Sequence, residues 1–276
     1  MIVYPNCKIN LGLHILRKRA DGYHDLETVF YPTRLNDILE IIPGHPGGQT
    51  DTIAFTQSGI EIAGPPADNL CVKAYRLLKN DFPDLPPVQL HLHKIIPSGA
   101  GLGGGSADAA FTLKLLNDSF NLGITAGKLI EYALQLGSDC PFFILNQPCL
   151  AGGRGEKLEK LELSLQGYQL LLVNPGIHIH TGKAFAALHP ALPSKPLKEI
   201  ILQPVHTWKE ELVNDFEKAI FAAYPAIAAI KDQLYQAGCH YASMSGSGST
   251  VYGLYPAGQK IRFDFPPHYF IKSIPA

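Results

Sequence analysis

The chain has 276 residues, of which 46% are hydrophobic and 17% are charged, and its formal net charge at pH 7 is −1. This length and apolar content support two packed domains, and the near-neutral charge disfavours binding to nucleic acid or anionic membranes through a basic surface. No apolar run approaches the roughly 18 residues that a membrane helix needs, so we expect no membrane-spanning segment.

The cysteines are scattered singly along the chain, at Cys7, Cys71, Cys140, Cys149 and Cys239. They form neither a CxxC pair nor a disulfide framework, which is typical of a reducing compartment. The first six residues lack the basic start and the apolar stretch of a signal peptide. We therefore expect a cytoplasmic protein.

The first half of the chain predicts strands before helices. Alternating polarity over residues 7–15 predicts a strand with one buried face. Further strands are predicted at residues 38–42 and 88–96, with a turn at residues 43–48 between them. A helix is then predicted over residues 107–116.

Helices and strands continue to mix in the second half. The pattern predicts a helix over residues 128–136, a buried strand over residues 168–173 and a helix over residues 219–237 with a break at Pro225. Because the two types do not alternate regularly, we expect an α+β fold rather than a doubly wound sheet.

The strongest functional motif is the glycine-rich segment of residues 97–107, which lies between a predicted strand and a predicted helix. Glycines allow backbone N–H groups to approach a ligand closely, and a helix N-terminus favours an anion such as phosphate. A flexible linker is the plainer interpretation, but linkers do not usually join a strand to a well-formed helix. The segment therefore predicts phosphate binding.

Two common nucleotide motifs explain this segment poorly. Gly99, Gly101 and Gly104 match the dinucleotide pattern GxGxxG, but a polar turn at residues 117–121 follows the helix where a second strand is required. The Walker pattern requires Lys followed by Ser or Thr after the last glycine, and this chain has Ser106 there. The protein-kinase triplets His-Arg-Asp and Asp-Phe-Gly are absent from the sequence.

Residues 101–108, Gly-Leu-Gly-Gly-Gly-Ser-Ala-Asp, resemble the phosphate loop of the GHMP small-molecule kinases, which include galactokinase and the homoserine, mevalonate and phosphomevalonate kinases. Residues 8–11, 19–26 and 139–143 narrow the resemblance to a branch that acts in non-mevalonate isoprenoid precursor biosynthesis. Similarity extends to residues 244–250, so it covers nearly the whole chain.

The resemblance implies a two-domain α+β GHMP kinase fold with an active site in the cleft between the domains. The N-terminal domain, residues 1–153, would bind ATP and resemble domain 2 of ribosomal protein S5. The C-terminal domain, residues 154–276, would be ferredoxin-like, and the flexible sequence at residues 151–155 suits this boundary.

The resemblance also implies the reaction. ATP would phosphorylate the 2-hydroxyl group of a methylerythritol linked to cytidine diphosphate, and Mg²⁺ would accompany ATP. The partner would be this small molecule rather than nucleic acid or a membrane, and we expect a monomer or a weak homodimer. No dedicated metal site is predicted.

Lys8 and Asp139 are the catalytic pair that the resemblance implies. By itself, a strand lysine such as Lys8 is usually an exposed solubilising charge. Asp139 precedes a proline and has a simpler interpretation as a helix N-cap, although capping and catalysis are compatible roles.

Two groups of binding residues follow from the resemblance. For ATP they are Lys94, Pro97, Ser98, Gly99, Ala100, Gly101, Leu102, Gly103, Gly104, Gly105, Ser106 and Ala107. For the acceptor they are Asn10, Tyr23, His24, Thr181 and Phe185. A flat cytosine requires aromatic faces and in-plane polar groups, for which Tyr23, Phe185 and His24 are the candidates. On spacing alone, the two aromatic residues would be ordinary core residues.

Two other features have simpler structural interpretations. Asp108 is expected in the first turn of a predicted helix, where an acidic side chain suits the helix dipole, and we interpret it as structural. The glycines of residues 246–248 are typical of a tight turn, whereas the resemblance implies a loop that closes against the phosphate site.

Two histidine pairs are candidate metal ligands, and the single tryptophan is a candidate core residue. His91 with His93, and His178 with His180, each place two imidazoles on one strand face, but no cysteine or carboxylate completes a zinc site at useful spacing. Trp208 is expected to fill a core.

Three alternatives to the branch named above remain. Another GHMP kinase, such as homoserine or mevalonate kinase, would need a different segment in place of residues 21–24. A non-catalytic nucleotide sensor would not need Lys8 and Asp139. A dehydrogenase would bind and oxidise or reduce a nicotinamide cofactor.

Overall fold

The computed structural model describes residues 1–44, 53–186, 188 and 190–276. The described strands are β1 (Ile2–Val3), β2 (Asn6–Lys18), β3 (His24–Asn36), β4 (Ile38–Pro43), β5 (Ile53–Gly59), β6 (Val88–Lys94), β7 (Cys149–Gly152), β8 (Lys157–Lys160), β9 (Tyr168–Asn174), β10 (Tyr241–Met244), β11 (Val251–Pro256) and β12 (Phe270–Pro275). The described α-helices are α1 (Leu70–Asp81), α2 (Gly104–Ser119), α3 (Ala126–Leu136), α4 (Cys140–Leu145), α5 (Thr181–Ala186), α6 (Leu197–Ile201), α7 (Trp208–Glu211), α8 (Phe216–Ala223) and α9 (Pro225–Gln236).

The predicted elements are present with changes at their ends. The helix predicted at residues 107–116 is α2, which begins three residues earlier, inside the glycine-rich segment. The helix predicted over residues 219–237 is two helices, because Pro225 begins α9. Pro43 ends β4, and residues 45–48 of the predicted turn lie outside the described residues.

The prediction of one buried face for the first strand was wrong, because residues 6–15 of β2 are buried on both faces. Leu13 and Ile15 belong to a hydrophobic core cluster. Lys8 and Asn10 are buried as well, because hydrogen bonds satisfy their polar groups.

Two compact units make up the described chain, and each combines separate segments. The first unit contains residues 1–7, 35–98 and 103–146, and the second contains residues 8–34, 99–102 and 147–276. These units do not coincide with a single division after residue 153, so that domain boundary stays a prediction.

In the first unit, four strands form a sheet in the order β1-β4-β6-β5. β5 runs parallel to β6, whereas β4 is antiparallel to both β1 and β6. α2 packs against α1, α4 and β4, and small buried side chains such as Ala107 and Ala110 allow this close approach. The N-terminus of α2 is thereby fixed beside the sheet.

In the second unit, two four-stranded sheets have the orders β2-β3-β7-β8 and β10-β11-β9-β12. α9 packs on β10 and β11, and Leu171, Val173, Ile230, Leu234 and Met244 belong to the core cluster of this unit.

Several predicted features of the whole chain can be checked directly. Trp208 fills the core as predicted, with 1% of its surface exposed and its indole N–H donating to the carbonyl oxygen of Gln203 at 2.9 Å. All five cysteines are buried and free. In the part of the chain that the structure describes, no helix combines the length and apolar character needed to span a bilayer.

Candidate active site

Lys8 lies in the second unit with its ammonium group held among polar partners. Only 3% of the residue is exposed. Its Nζ donates to Asn10 Oδ1 at 2.6 Å and to the carbonyl oxygen of Gly101 at 3.0 Å, and it lies 5.0 Å from the centre of the Phe30 ring. Lys8 is therefore a fixed, buried cation rather than a solvated surface charge.

Asn10 connects this lysine to β3 and to the second glycine-rich loop. Its Nδ2 donates to Thr28 Oγ1 at 3.0 Å, and its backbone N–H donates to Ser245 Oγ at 3.2 Å. Ser245 Oγ in turn donates to the carbonyl oxygen of Gly101 at 2.8 Å. The side-chain nitrogen and the side-chain oxygen of Asn10 therefore both have hydrogen-bond partners, which fixes the oxygen against Lys8.

Gly101 can be only glycine in this arrangement. Its φ is +79°, and an added Cβ would lie 2.0 Å from the carbonyl oxygen of Ser245. Gly246 also approaches Gly101 closely. The resemblance predicted that the loop of residues 246–248 closes against the phosphate loop, and the structure brings Gly101 and Gly246 together.

A buried ionic cluster lies in the first unit. Lys94 Nζ donates to Asp108 Oδ2 at 2.7 Å and to Asp37 Oδ2, and all three side chains are almost completely buried. Asp37 also accepts the backbone N–H groups of Ile95 and Ile96, at 2.5 and 2.8 Å. Lys94 is thus an internal ion-pair partner and not a solvated strand-end lysine.

The protonation of this cluster follows from its composition, since two carboxyl groups share one ammonium group. Burial raises the pKa of Asp108 to about 7. The positive charge of Lys94 acts to lower this pKa, and the negative charge of Asp37 acts to raise it further. The structural role assigned to Asp108 fits its burial. Its position differs from the expectation, however, because Asp108 is the fifth residue of α2 and lies beyond the first turn.

A cavity of about 260 Å³ lies beside the cluster in the first unit. Its lining includes Gln57, Asn69, Lys94, Ser98 and Gly105. Two of these residues belong to the predicted phosphate loop. The cavity combines an apolar wall with amide groups, which is the character of a small-molecule site.

The N-terminus of α2 forms the other part of the loop in the first unit. Gly103 precedes the helix with a φ of +70°, and the first N–H groups of a helix have no partners within it. An added Cβ at Gly104 would lie 2.9 Å from both Lys94 Nζ and Ile96 Cγ2. Gly104 thus lets the start of α2 lie against Lys94 and Ile96, and the first N–H groups of the helix are donors of the kind that bind phosphate.

Asp139 is the N-cap residue of α4, as its sequence position suggested. Its side chain, however, accepts no capping hydrogen bond from the backbone of the described helix. Pro141 is the second residue of α4, where its missing N–H has no consequence. The carboxylate of Asp139 therefore does not cap this helix.

The predicted acceptor residues of the second unit fall into separate contacts. His24 stacks on Phe185 with ring centres 4.9 Å apart and an interplanar angle of 18°. Phe185 also meets the edge of the Phe216 ring at 4.9 Å. The ring of Tyr23 instead lies beneath the guanidinium group of Arg154, and Thr181 Oγ1 lies 3.3 Å from Ser247 Oγ.

The histidine pairs have partners that explain them without a metal. His91 contacts the hydroxyl groups of Thr56 and Ser58, at 2.8 and 2.9 Å. His178 and His180 pack edge to face, with ring centres 4.9 Å apart. Within the described ranges, no group of three His, Cys, Asp or Glu side chains is arranged to hold a metal ion.

Comparisons with known proteins show the family of the chain. Residues 69–147 match the model of the GHMP kinases N terminal domain, and residues 197–264 match the model of the GHMP kinases C terminal region. A curated 4-diphosphocytidyl-2-C-methyl-D-erythritol kinase of Bacteroides fragilis (strain YCH46) is 55% identical over 266 residues, covering 96% of each chain. The chain belongs to this family of GHMP kinases. It is therefore an ATP-dependent small-molecule kinase, and its GHMP kinase fold is the α+β fold that the resemblance implied.

Further relatives place this GHMP kinase more closely. The kinase of the same name from Cytophaga hutchinsonii is 51% identical, covering 92% of each chain. A crystal structure of 4-(cytidine 5'-diphospho)-2C-methyl-D-erythritol kinase matches with a TM-score of 0.79 and 32% identity, over 92% of this chain and 90% of that one. The homoserine kinase of C. hutchinsonii matches over 92% and 85%, at a TM-score of 0.62 but only 12% identity, and so shares the fold.

Sequence reasoning missed four polar or aromatic residues of this GHMP kinase. They are Thr28, Phe30, Asp37 and Ser245. Thr28 and Phe30 are two residues apart on β3 and therefore lie on the same face of the strand. Once Phe30 is known to contact Lys8, this spacing indicates that Thr28 faces the same site. Asp37 lies between two strands and has no local signal of its burial.

Proposed function

We propose that this protein transfers the γ-phosphoryl group of ATP to the 2-hydroxyl group of 4-diphosphocytidyl-2-C-methyl-D-erythritol in non-mevalonate isoprenoid precursor biosynthesis. The observation that carries the proposal is the 55% identity to a kinase of that name over 96% of both chains. The buried contacts of Lys8 and the open N-terminus of α2 support it from the chemistry of the site.

ATP would be bound by two kinds of group. Backbone N–H groups of residues 97–107 would bind its phosphates, because the first N–H groups of a helix have no partner within it and glycines let a ligand approach the backbone. The cavity beside Lys94 would hold the nucleoside, with Gln57 and Asn69 supplying in-plane polar groups. Lys94 would act chiefly by holding Asp37 and Asp108 in place around this cavity.

The phosphoryl-transfer step would depend on position more than on basicity. The hydroxyl oxygen of the acceptor attacks the γ-phosphorus in line, the bond to the ADP oxygen breaks, and Asp139 accepts the hydroxyl proton. A loose transition state requires little early deprotonation, so the position of the carboxylate matters more than its strength as a base. Lys8, fixed by Asn10, offsets the negative charge that develops.

Mg²⁺ is proposed to accompany ATP and to neutralise charge on its phosphates. Phosphate oxygens and water are its expected ligands, because Mg²⁺ loses its water reluctantly.

The acceptor would be bound by residues of the second unit. Asn10 and Thr181 would contact its polyol, and Tyr23, His24 and Phe185 would bind its cytosine base. We further propose a cytoplasmic location, which the free cysteines favour, and a monomer or weak homodimer.

Turnover of three acceptors tests the proposal. ADP release from ATP is measured with 4-diphosphocytidyl-2-C-methyl-D-erythritol, with mevalonate and with homoserine at equal concentrations. We expect rapid release only with the first. Preference for mevalonate or homoserine would indicate another GHMP kinase. ATP binding without any turnover would indicate a nucleotide sensor.

A further inference from the structure

The turn between β2 and β3 is held in one conformation by a network of charged side chains. Arg19 contacts Asp21 at 3.0 Å and Asp25 at 2.9 Å, and Arg17 contacts Asp25 at 2.5 Å. Asp21 Oδ1 accepts the backbone N–H of Tyr23 at 3.1 Å. The backbone of Tyr23 therefore has a fixed position, although the residue is 58% exposed.

The charge distribution within this network agrees with its geometry. Desolvation acts to raise the pKa of Asp21, but the hydrogen bond from Tyr23 and the charges of Arg19 and Arg154 outweigh it and lower that pKa. Asp21 is thus anionic at neutral pH and keeps the turn closed.

The loop after β7 brings a third arginine to the same turn. The guanidinium carbon of Arg154 lies 5.0 Å from the centre of the Tyr23 ring. The carbonyl oxygen of the preceding residue, Gly153, accepts the backbone N–H of Leu26 at 2.8 Å, and the N–H of Arg154 donates to Glu156 Oε2 at 2.6 Å. Both sides of the loop are anchored, so the stacking of Arg154 on Tyr23 is built into the fold.

A ring that is exposed yet covered on one face by a cation suits stacking on its other face. Without Arg154, the Tyr23 side chain would be free to change rotamer in solvent, and ordering it would oppose binding. We propose that Arg154 is a specificity-determining positioning residue, which holds Tyr23 in the orientation that stacks on the cytosine base of the acceptor. This inference rests on the proposed function, and it assigns Arg154 to the base through Tyr23 rather than to the diphosphate.

Competition by cytidine, CMP and CDP tests the assignment. Each is used to inhibit ADP release by the full-length enzyme, with wild type, Arg154→Met and Arg154→Lys compared. An exposed cation–π contact corresponds to about a two- to fivefold change in affinity. We expect Arg154→Met to weaken all three competitors and to raise the acceptor KM by this same factor, with kcat and the ATP KM unchanged. Arg154→Lys keeps the positive charge and should retain most of the wild-type affinity for the competitors and the acceptor.

A double-mutant cycle separates this role from a general structural one. In a Tyr23→Ala background, Arg154→Met should have no further effect on the acceptor KM. The matched control is Lys157→Met, which removes an exposed positive charge three residues away and should change neither KM.

Three results would overturn the inference while leaving the proposed function intact. They are weaker binding of CDP without weaker binding of cytidine, an additive effect in the Tyr23→Ala background, and an unchanged acceptor KM in Arg154→Met. Failure of the wild-type enzyme to use the cytidine acceptor would instead remove the proposed function itself.

Discussion

Lys8 Nζ and Ser245 Oγ donate hydrogen bonds to the same acceptor, the carbonyl oxygen of Gly101, at 3.0 and 2.8 Å. Ser245 also accepts the backbone N–H of Asn10, the residue whose side chain accepts from Lys8. The hydroxyl group therefore helps to fix two hydrogen-bond acceptors of the lysine, the Gly101 carbonyl oxygen and Asn10 Oδ1. We therefore expect the Ser245 hydroxyl to help position Lys8 through Gly101 and Asn10.

Ser245→Ala should lower kcat about tenfold, which corresponds to about 1.4 kcal/mol, because Lys8 loses part of its positioning. The measurement is steady-state turnover with both substrates varied, together with urea unfolding.

The matched control for Ser245 is Ser249→Ala in the same loop. Ser249 is equally buried, but its hydroxyl donates to the carbonyl oxygen of Ile177 and accepts from Asn174. Both variants should lose about 1–3 kcal/mol of unfolding free energy. Only Ser245→Ala should also lower kcat, and Ser249→Ala should keep the kcat of the wild type. Equal losses of turnover would show that the loop serves a purely structural purpose.

Asp139→Asn should reduce kcat by about 10²–10⁴, because an amide cannot accept the hydroxyl proton. ATP affinity, measured by calorimetry, should stay within about twofold, since the proposed role of Asp139 lies with the acceptor hydroxyl rather than with nucleotide binding. Asp118→Asn, an exposed substitution at the end of α2, provides the control and should keep full activity. Near-normal turnover of Asp139→Asn would remove this residue from the mechanism.

Adjacent glycines of α2 offer a matched pair for the phosphate loop. An added Cβ at Gly104 would lie 2.9 Å from Lys94 Nζ and Ile96 Cγ2, whereas one at Gly105 would meet only Leu70 Cδ1 at 3.9 Å. Gly104→Ala should therefore weaken ATP binding at least tenfold more than Gly105→Ala, in calorimetry on folded proteins, if displacement costs about 1.4 kcal/mol or more. Equal affinities of the two variants would argue against a backbone approach by phosphate at this point.

Asp108 should make the stability of the protein depend on pH. Its folded pKa of about 7 is above the unfolded value of about 3.9, so the folded state binds a proton that the unfolded state has released. The stabilising contribution of that proton is present below pH 4 and is lost as the pH rises through 7. Relative to Asp108→Asn, the wild type should lose unfolding free energy between pH 5 and 7, at no more than about 1.4 kcal/mol per pH unit.

Urea unfolding of both proteins at several pH values measures this difference. Asp84 is an exposed acidic residue of the first unit. The unfolding free energy of Asp84→Asn should therefore change with pH as that of the wild type does. A pH-independent difference between the wild type and Asp108→Asn would show that Asp108 stays ionised throughout.

Local patterns were sufficient to predict most elements of this fold. The strand at Tyr168–Asn174 and the helix at Ala126–Leu136 follow from apolar runs and from a stop at Gly137, all of which are short-range signals. The two-sided burial of β2 was not predictable in this way, because it depends on residues more than 90 positions away that satisfy Lys8 and Asn10.

In the candidate site, too, short-range features were predictable from the sequence and long-range contacts were not. The glycine-rich loop was found because its glycines and the following helix are adjacent in sequence. Ser245, by contrast, meets Asn10 across 235 residues, and Asp37 meets Lys94 across 57. Such contacts leave no periodic signal, so only the folded chain shows that these polar residues serve the site.

The stack of His24 on Phe185 leads to the last prediction, which concerns the acceptor. At 4.9 Å and 18°, the imidazole occupies the position that a flat base would take on one face of Phe185. Phe185→Leu removes the stacking face but keeps an apolar contact to Phe216, so the protein should stay folded. The acceptor KM should rise about 5- to 150-fold, for a stacking contribution of about 1–3 kcal/mol, while the ATP KM stays unchanged. Phe263→Leu, at a 40% exposed ring of the same unit, is the control in these steady-state assays and should change neither KM. A rise in the ATP KM alone would mean that Phe185 serves the nucleotide and that the base of the acceptor binds elsewhere.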